Sequence, residues 1–132
     1  AKQKELAETL LQACGEVVHI EDELMMNAVT AVSGSGPAYV FLLAEVMADA
    51  ARRLGLPAEV AQKLARQTVS GSGALLAAET LPASTLRENV TSEGGTTFAA
   101  LSVLMAKDGM ADLFVRALEA AAMRAKELDN SR

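Results

Sequence analysis

Between residues 2 and 13, Leu6, Leu10 and Leu11 fall on one side of a 3.6-residue period with charges opposite, which predicts an amphipathic helix ended by Gly15. GEVVHI follows, and its Val17, Val18 and Ile20 predict a short strand over 16–20, the one β-type run in the chain. A strand must pair its backbone groups with a neighbour, and the rest of the sequence offers none. Glu21, Asp22 and Glu23 suit the positive end of a helix dipole and open a helix running to about Val32. SGSGP, residues 33–37, breaks or bends the chain. From Ala38 the run AYVFLLAEVMADAARRLG is apolar on nearly every face as far as Ala44. Such a helix is covered on all sides, which a helical dimer arranges more readily than a small monomer.

Gly55 ends that helix and Pro57 suits the first turn of the next. AEVAQKLARQTVSGSGALLAAET reads as one long helix despite Gly71 and Gly73, each costing about 1 kcal/mol relative to Ala, so the pair predicts a close helix crossing. Pro82 starts a short helix, PASTLRENV. After TSEGG come TTFAALSVLMAKDG and MADLFVRALEAAAMRAKEL, parted at Gly109, and a fraying tail, DNSR. SGSG occurs twice with unrelated flanks, so there is no internal repeat. The fold class is all-α, a helical bundle.

With 132 residues the chain fits one domain. It is 51% hydrophobic but only 3% aromatic, with no Trp, so its volume comes from Ala, Leu, Val and Met, which favours helices. A net charge of −5 without a basic stripe argues against nucleic acid. No apolar run reaches the roughly 18 residues of a spanning helix, and AKQKELAETLL lacks a signal peptide's apolar core, so no membrane partner is expected and a cytoplasmic setting is.

Cys14 is the single cysteine, which excludes an internal disulfide, and within LLQAC it reads as a packed small residue. His19 is the single histidine, placed on the exposed face of the predicted strand, and no metal site is expected. Tyr39 reads as a packed ring with its hydroxyl at a surface or interface, and the six methionines as core fillers. Glu45, inside its apolar run, calls for an arginine partner, Arg52 or Arg66.

One junction stands apart, TSEGGTTFAAL over residues 91–101. Gly94 and Gly95 let backbone approach a ligand, the helix behind them presents unpaired N–H groups, and Ser92, Thr96 and Thr97 add hydroxyls. That pattern fits a carboxylate or phosphate cradle, although a plain helix-to-helix turn is the commoner use of such a glycine-rich cap. SGSGP lacks the lysine of a P-loop and the spacing of a dinucleotide fingerprint.

AVTAVSGSGPAYVF, LGLPAEVAQKLARQTV and LRENVTSEGGTTFAALSVL, taken in order over residues 15–128, resemble the C-terminal dimerisation domain of pyrroline-5-carboxylate reductase. The resemblance implies a helical bundle like the C-terminal domain of 6-phosphogluconate dehydrogenase. Residues 21–132 are then the dimerisation and substrate-loop domain, and 1–20 the last helix and strand of a missing Rossmann domain. It also implies reduction of the cyclic imine Δ1-pyrroline-5-carboxylate to L-proline with NADPH or NADH, by an interlocked homodimer or a larger assembly of dimers. Ser92, Gly94, Gly95, Thr96 and Thr97 fall on the loop that holds the substrate carboxylate, Thr97 lies near the ring nitrogen as the catalytic hydroxyl, and Asn89 lies near the nicotinamide. Glu93 replaces the proline usual in the SPGGTT-like loop. No GxGxxG is present, so the chain alone is expected to be inactive without a nucleotide-binding half. A non-enzymatic oligomerisation module and a related imine or β-hydroxyacid reductase are the alternatives.

Overall fold

The computed structural model describes residues 2–131, leaving only the last residue of the predicted fraying tail and Ala1 outside the described residues. Seven α-helices follow in order: α1 (Lys2–Gln12), α2 (Met26–Val29), α3 (Gly36–Arg53), α4 (Ala58–Ala78), α5 (Ala83–Asn89), α6 (Thr96–Leu104) and α7 (Met110–Asp129). Among the described residues there is no strand. The all-α reading holds and the strand over 16–20 does not, because no second strand exists in this chain to close a ladder with it. His19 is exposed as expected, but it reaches back to pair with Glu8 on α1 instead of standing on a sheet.

α2 begins after a 3-10 turn, Glu23–Met25, in which the Asp22 carboxylate accepts the Leu24 N–H at 2.9 Å. The predicted break at SGSGP is gentler than a break. Helix continues through a π-turn, Thr30–Gly34, closed by Ser35 N–H donating to the Thr30 carbonyl at 2.9 Å. The widened turn lets Pro37, which has no N–H to give, enter the first turn of α3. Tyr39 Oη donates to the Ala31 carbonyl at 3.1 Å, and its ring meets Phe114 edge-on, centroids 6.2 Å apart. The tyrosine thereby fastens the π-turn to α7.

The π-turn joins apolar runs that looked separate in the sequence. Glu23–Arg53 is consequently long and apolar enough to cross a membrane by length and composition, against the expectation that no run would be. Only 11% of its most apolar stretch is buried within the chain.

α3 ends in a Schellman motif: Leu56 N–H donates to the Ala51 carbonyl and Gly55 N–H, at φ +98°, to that of Arg52. The motif turns α4 back against α3, and these two helices form the most extensive pair in the chain. Ala48, Ala61 and Ala65 are buried, and Ala31 is buried where α2 and the π-turn pack on α7. These four alanines are the whole buried apolar core.

Larger apolar side chains lie outside it. Phe41 is 71% and Val103 74% exposed, and Met25, Met105 and Met123 are exposed rather than core fillers. Cys14 is exposed rather than packed, and α1, which it follows, is not among the helices that pack extensively on one another. Glu45 is exposed and, among the described residues, joins neither predicted arginine; Arg52 instead meets Asp49 at 3.4 Å. A Cβ built at Gly71 or Gly73 meets nothing within 4 Å, so the predicted close crossing is not made within this chain.

Candidate functional site: the connection between α5 and α6

α5 ends at Asn89, and the chain then folds back on the helix it has left. Val90 N–H donates to the Arg87 carbonyl at 3.3 Å, and Thr91 N–H to that of Glu88 at 2.9 Å. Thr91 Oγ1 adds a 2.6 Å bond to the Arg87 carbonyl. Residues 92–95 then form a turn closed by Gly95 N–H donating to the Ser92 carbonyl at 3.0 Å. Gly94 sits at φ +68° in its third position, while Glu93, in the second, keeps a negative φ. That is the type II pattern, which calls for glycine third and favours proline second.

Gly95 is the N-cap of α6, with its carbonyl accepting the Ala99 N–H at 3.1 Å. No side chain caps this helix, so the N–H groups of its first turn, beginning at Thr96 and Thr97, face the loop without a side-chain acceptor. The helix dipole adds partial positive charge at the same point. A Cβ at Gly95 would stand 2.3 Å from Ser92 Oγ and 3.2 Å from the Ser92 carbonyl oxygen. The serine hydroxyl therefore folds over the glycine Cα, and only a residue without a side chain leaves it there.

The structure brings Ser92, Gly94, Gly95, Thr96 and Thr97 into one turn and helix start, with Asn89 at the other end of the same connection. Thr97 and Gly95 are half-buried, whereas Asn89, Ser92, Glu93, Gly94 and Thr96 are exposed. The loop belongs to neither of two surface hollows on the chain: one near Arg52 and Arg53, and an apolar one lined by Val32, Pro37, Tyr39, Leu43 and Phe114. The connection thus presents N–H donors and hydroxyls on one side and is open on its others, an arrangement with the chemistry to receive a small anion. Sequence reasoning gave Thr91 no role. Its signal was a hydroxyl residue just beyond a helix end, four positions after a carbonyl it can reach.

Residues 23–128 match the family described as pyrroline-5-carboxylate reductase dimerisation. The chain belongs to that family. It is 44% identical over 128 residues to a pyrroline-5-carboxylate reductase of Pseudomonas aeruginosa, covering 97% of this chain and 46% of the relative. A Synechocystis reductase of the same name is 44% identical over 122 residues, covering 92% of this chain and 45% of its own length. Among solved structures, the pyrroline-5-carboxylate reductase of Coxiella burnetii superposes with a TM-score of 0.89 at 43% identity, over 96% of this chain and 47% of that one. The Plasmodium falciparum pyrroline carboxylate reductase, solved with NADP bound, gives a TM-score of 0.79 at 33% identity, over 96% of this chain and 48% of that one. The chain thus spans about half the length of the relatives it matches.

Proposed function

We propose that this chain is the dimerisation and substrate-loop half of an NAD(P)H-dependent reductase that converts Δ1-pyrroline-5-carboxylate to L-proline. The observation that carries the reading is the uncapped start of α6 behind the Gly94–Gly95 turn, in a chain of this reductase family. The substrate carboxylate is held by N–H groups of Thr96 and Thr97 and by the hydroxyls of Ser92 and Thr96, on the turn that Gly94 and Gly95 shape. Those groups stabilise an anion and place the five-membered ring against the half-buried Thr97 hydroxyl. Reduction adds a hydride to the imine carbon while the ring nitrogen gains a proton, and the Thr97 hydroxyl hydrogen-bonds that nitrogen and passes it a proton that solvent water replaces on the threonine oxygen.

The nicotinamide supplies the hydride. The exposed amide of Asn89 suits hydrogen bonding to a carboxamide, and the described residues offer no Gly-rich turn between strand and helix to hold a pyrophosphate. In keeping with a chain that spans about half the length of its relatives, most of the dinucleotide is held by another domain, of which residues 1–20 are the last part, and 21–132 form the helical half. The working unit is a homodimer, in which a second copy covers the apolar surface of α3, and dimers associate further. The setting is cytoplasmic, with neither nucleic acid nor membrane as partner.

Assaying NAD(P)H oxidation with the cyclic imine tests this directly. The two-domain enzyme turns over, the isolated chain does not, and Thr97→Ala in the two-domain enzyme lowers kcat about 100-fold, within the range for losing a group that assists proton transfer. Full turnover by the isolated chain, or an unchanged kcat in Thr97→Ala, overturns the corresponding assignment.

A further inference from the structure

We infer that Thr91 is a positioning residue whose hydroxyl fixes the carboxylate cradle at a set distance from Asn89; the inference rests on the function proposed above. Only Val90 and Thr91 separate Asn89, on the cofactor side, from Ser92, where the cradle begins. Such a short tether transmits any rotation at residue 90 or 91 to both ends. Three hydrogen bonds restrain it, and all of them run to the last turn of α5. Two come from the backbone and cannot be removed by changing a side chain.

The third is the 2.6 Å bond from Thr91 Oγ1 to the Arg87 carbonyl. Without it, that carbonyl keeps only the 3.3 Å bond from Val90 N–H, and the bend at residue 91 loses its shortest restraint. Thr9, Ser33 and Ser102 make the same four-residue bond from inside helical segments, where the helix already fixes the backbone. Thr91 makes it after α5 has ended, as Ser131 does beyond α7, and there it adds the shortest bond to the two backbone bonds that set the direction of the chain.

The cradle has little other support within the chain. Neither α5 nor α6 is among the helices that pack extensively on one another. The turn over 92–95 holds itself together through the Gly95–Ser92 bond and is joined to α5 only through residues 90 and 91. Thr91 therefore decides where an intact cradle points, while leaving the donors themselves unchanged. Loss of the hydroxyl should spare carboxylate binding and slow the hydride step, which depends on alignment between ring carbon and nicotinamide.

The experiment compares wild type, Thr91→Val, Thr91→Ser and Thr97→Ala in the two-domain enzyme, and follows amide exchange in the present chain by NMR. Thr91→Val, nearly isosteric, should lower kcat about tenfold, as expected for a sub-ångström misplacement, with the KM for the imine changed less than about twofold. Thr91→Ser, which keeps the hydroxyl, should restore kcat. In the isolated chain, Thr91→Val should speed exchange at the Thr91 amide while the Gly95 amide, inside the self-contained turn, stays as protected as in wild type. A Thr91→Val enzyme with wild-type kcat overturns the inference while a disabled Thr97→Ala leaves the proposed function standing. Equal losses in kcat and in Tm that Thr91→Ser does not rescue also overturn it, by showing a structural role only. Absence of imine reduction by the wild-type enzyme removes both the function and the inference, whatever the exchange rates show.

Discussion

Gly94 and Gly95 answer to different constraints. Gly94 is required by its dihedral, since φ +68° costs a side-chain-bearing residue about 1 kcal/mol. Gly95 is required by space, because Ser92 Oγ occupies the place its Cβ would take. Gly94→Ala should therefore lower stability by about 1 kcal/mol while leaving much of the cradle usable. Gly95→Ala should cost little stability, because the serine hydroxyl can swing into solvent, yet raise the KM for the imine about tenfold or more by displacing a ligand group. Denaturant melts and steady-state kinetics on the two variants separate these effects, and identical behaviour would refute the distinction. Glu93 offers a second separation. As the second residue of a type II turn it occupies a site suited to proline, and Glu93→Pro should raise stability by about 0.4–1 kcal/mol. Its exposed carboxylate also stands beside a cradle for anions, so Glu93→Gln should lower the KM about twofold at low salt and have no effect at 0.5 M salt or above, where screening is nearly complete, on the order of a 4 Å Debye length. A salt-independent gain in Glu93→Gln would show that charge is not the cause.

At the scale of elements, the helices were legible because each rests on local rules. Pro57 and Pro82 each stand at the N-cap just ahead of a helix, Gly55 ends α3, and the glycines of the loop stand before α6. The turn ahead of α6 was legible for the same reason, as its two glycines are adjacent and its hydroxyl residues stand on either side of them. What the sequence hid were facts about neighbours. The run over 16–20 has the composition of a strand, but a ladder takes two strands and this chain has one candidate. Gly71 and Gly73 carry the signature of a close crossing, but among the described residues nothing lies within 4 Å of a Cβ placed at either. The π-turn was hidden differently: SGSGP has every mark of a helix stop, yet helix continues through it in a turn closed by Ser35 N–H on the Thr30 carbonyl, with the Tyr39 hydroxyl bonded to that of Ala31. Tyr39→Phe keeps the contact with Phe114 and removes only that bond, so it should cost about 1 kcal/mol in denaturant melts. Tyr39→Ala loses both and should cost about 3 kcal/mol or more. Equal losses in the two variants would assign the hydroxyl, and not the ring, the whole effect.

The molecule as a whole exposes 10978 Å², whereas a compact monomer of this mass exposes about 6,600 Å². The excess, about 4,000 Å², is larger than a standard protein interface needs, and it is concentrated in side chains such as Phe41, Leu42 and Val103. Membership of a dimerisation family gives that excess a reason, and a four-alanine core gives the isolated protomer little stability of its own. Tm should therefore rise with protein concentration, as it does whenever association supplies the folding energy. Phe41→Asp should weaken association by roughly 30-fold or more, the usual loss at a central aromatic anchor, measured by sedimentation equilibrium. A concentration-independent Tm together with unchanged sedimentation of Phe41→Asp would mean that this face is not the interface.

The same exposed surface has a consequence during synthesis. A newly made copy presents Phe41, Leu42, Val46 and their neighbours to solvent until they are covered, and transiently bare apolar surface of this kind leads to aggregation. Encounter with another copy then competes with aggregation from the moment α3 leaves the ribosome. Expression yield should consequently depend on how quickly chains meet: co-expressed copies held close together on one message should give more soluble protein than the same amount of chain made in scattered, dilute encounters.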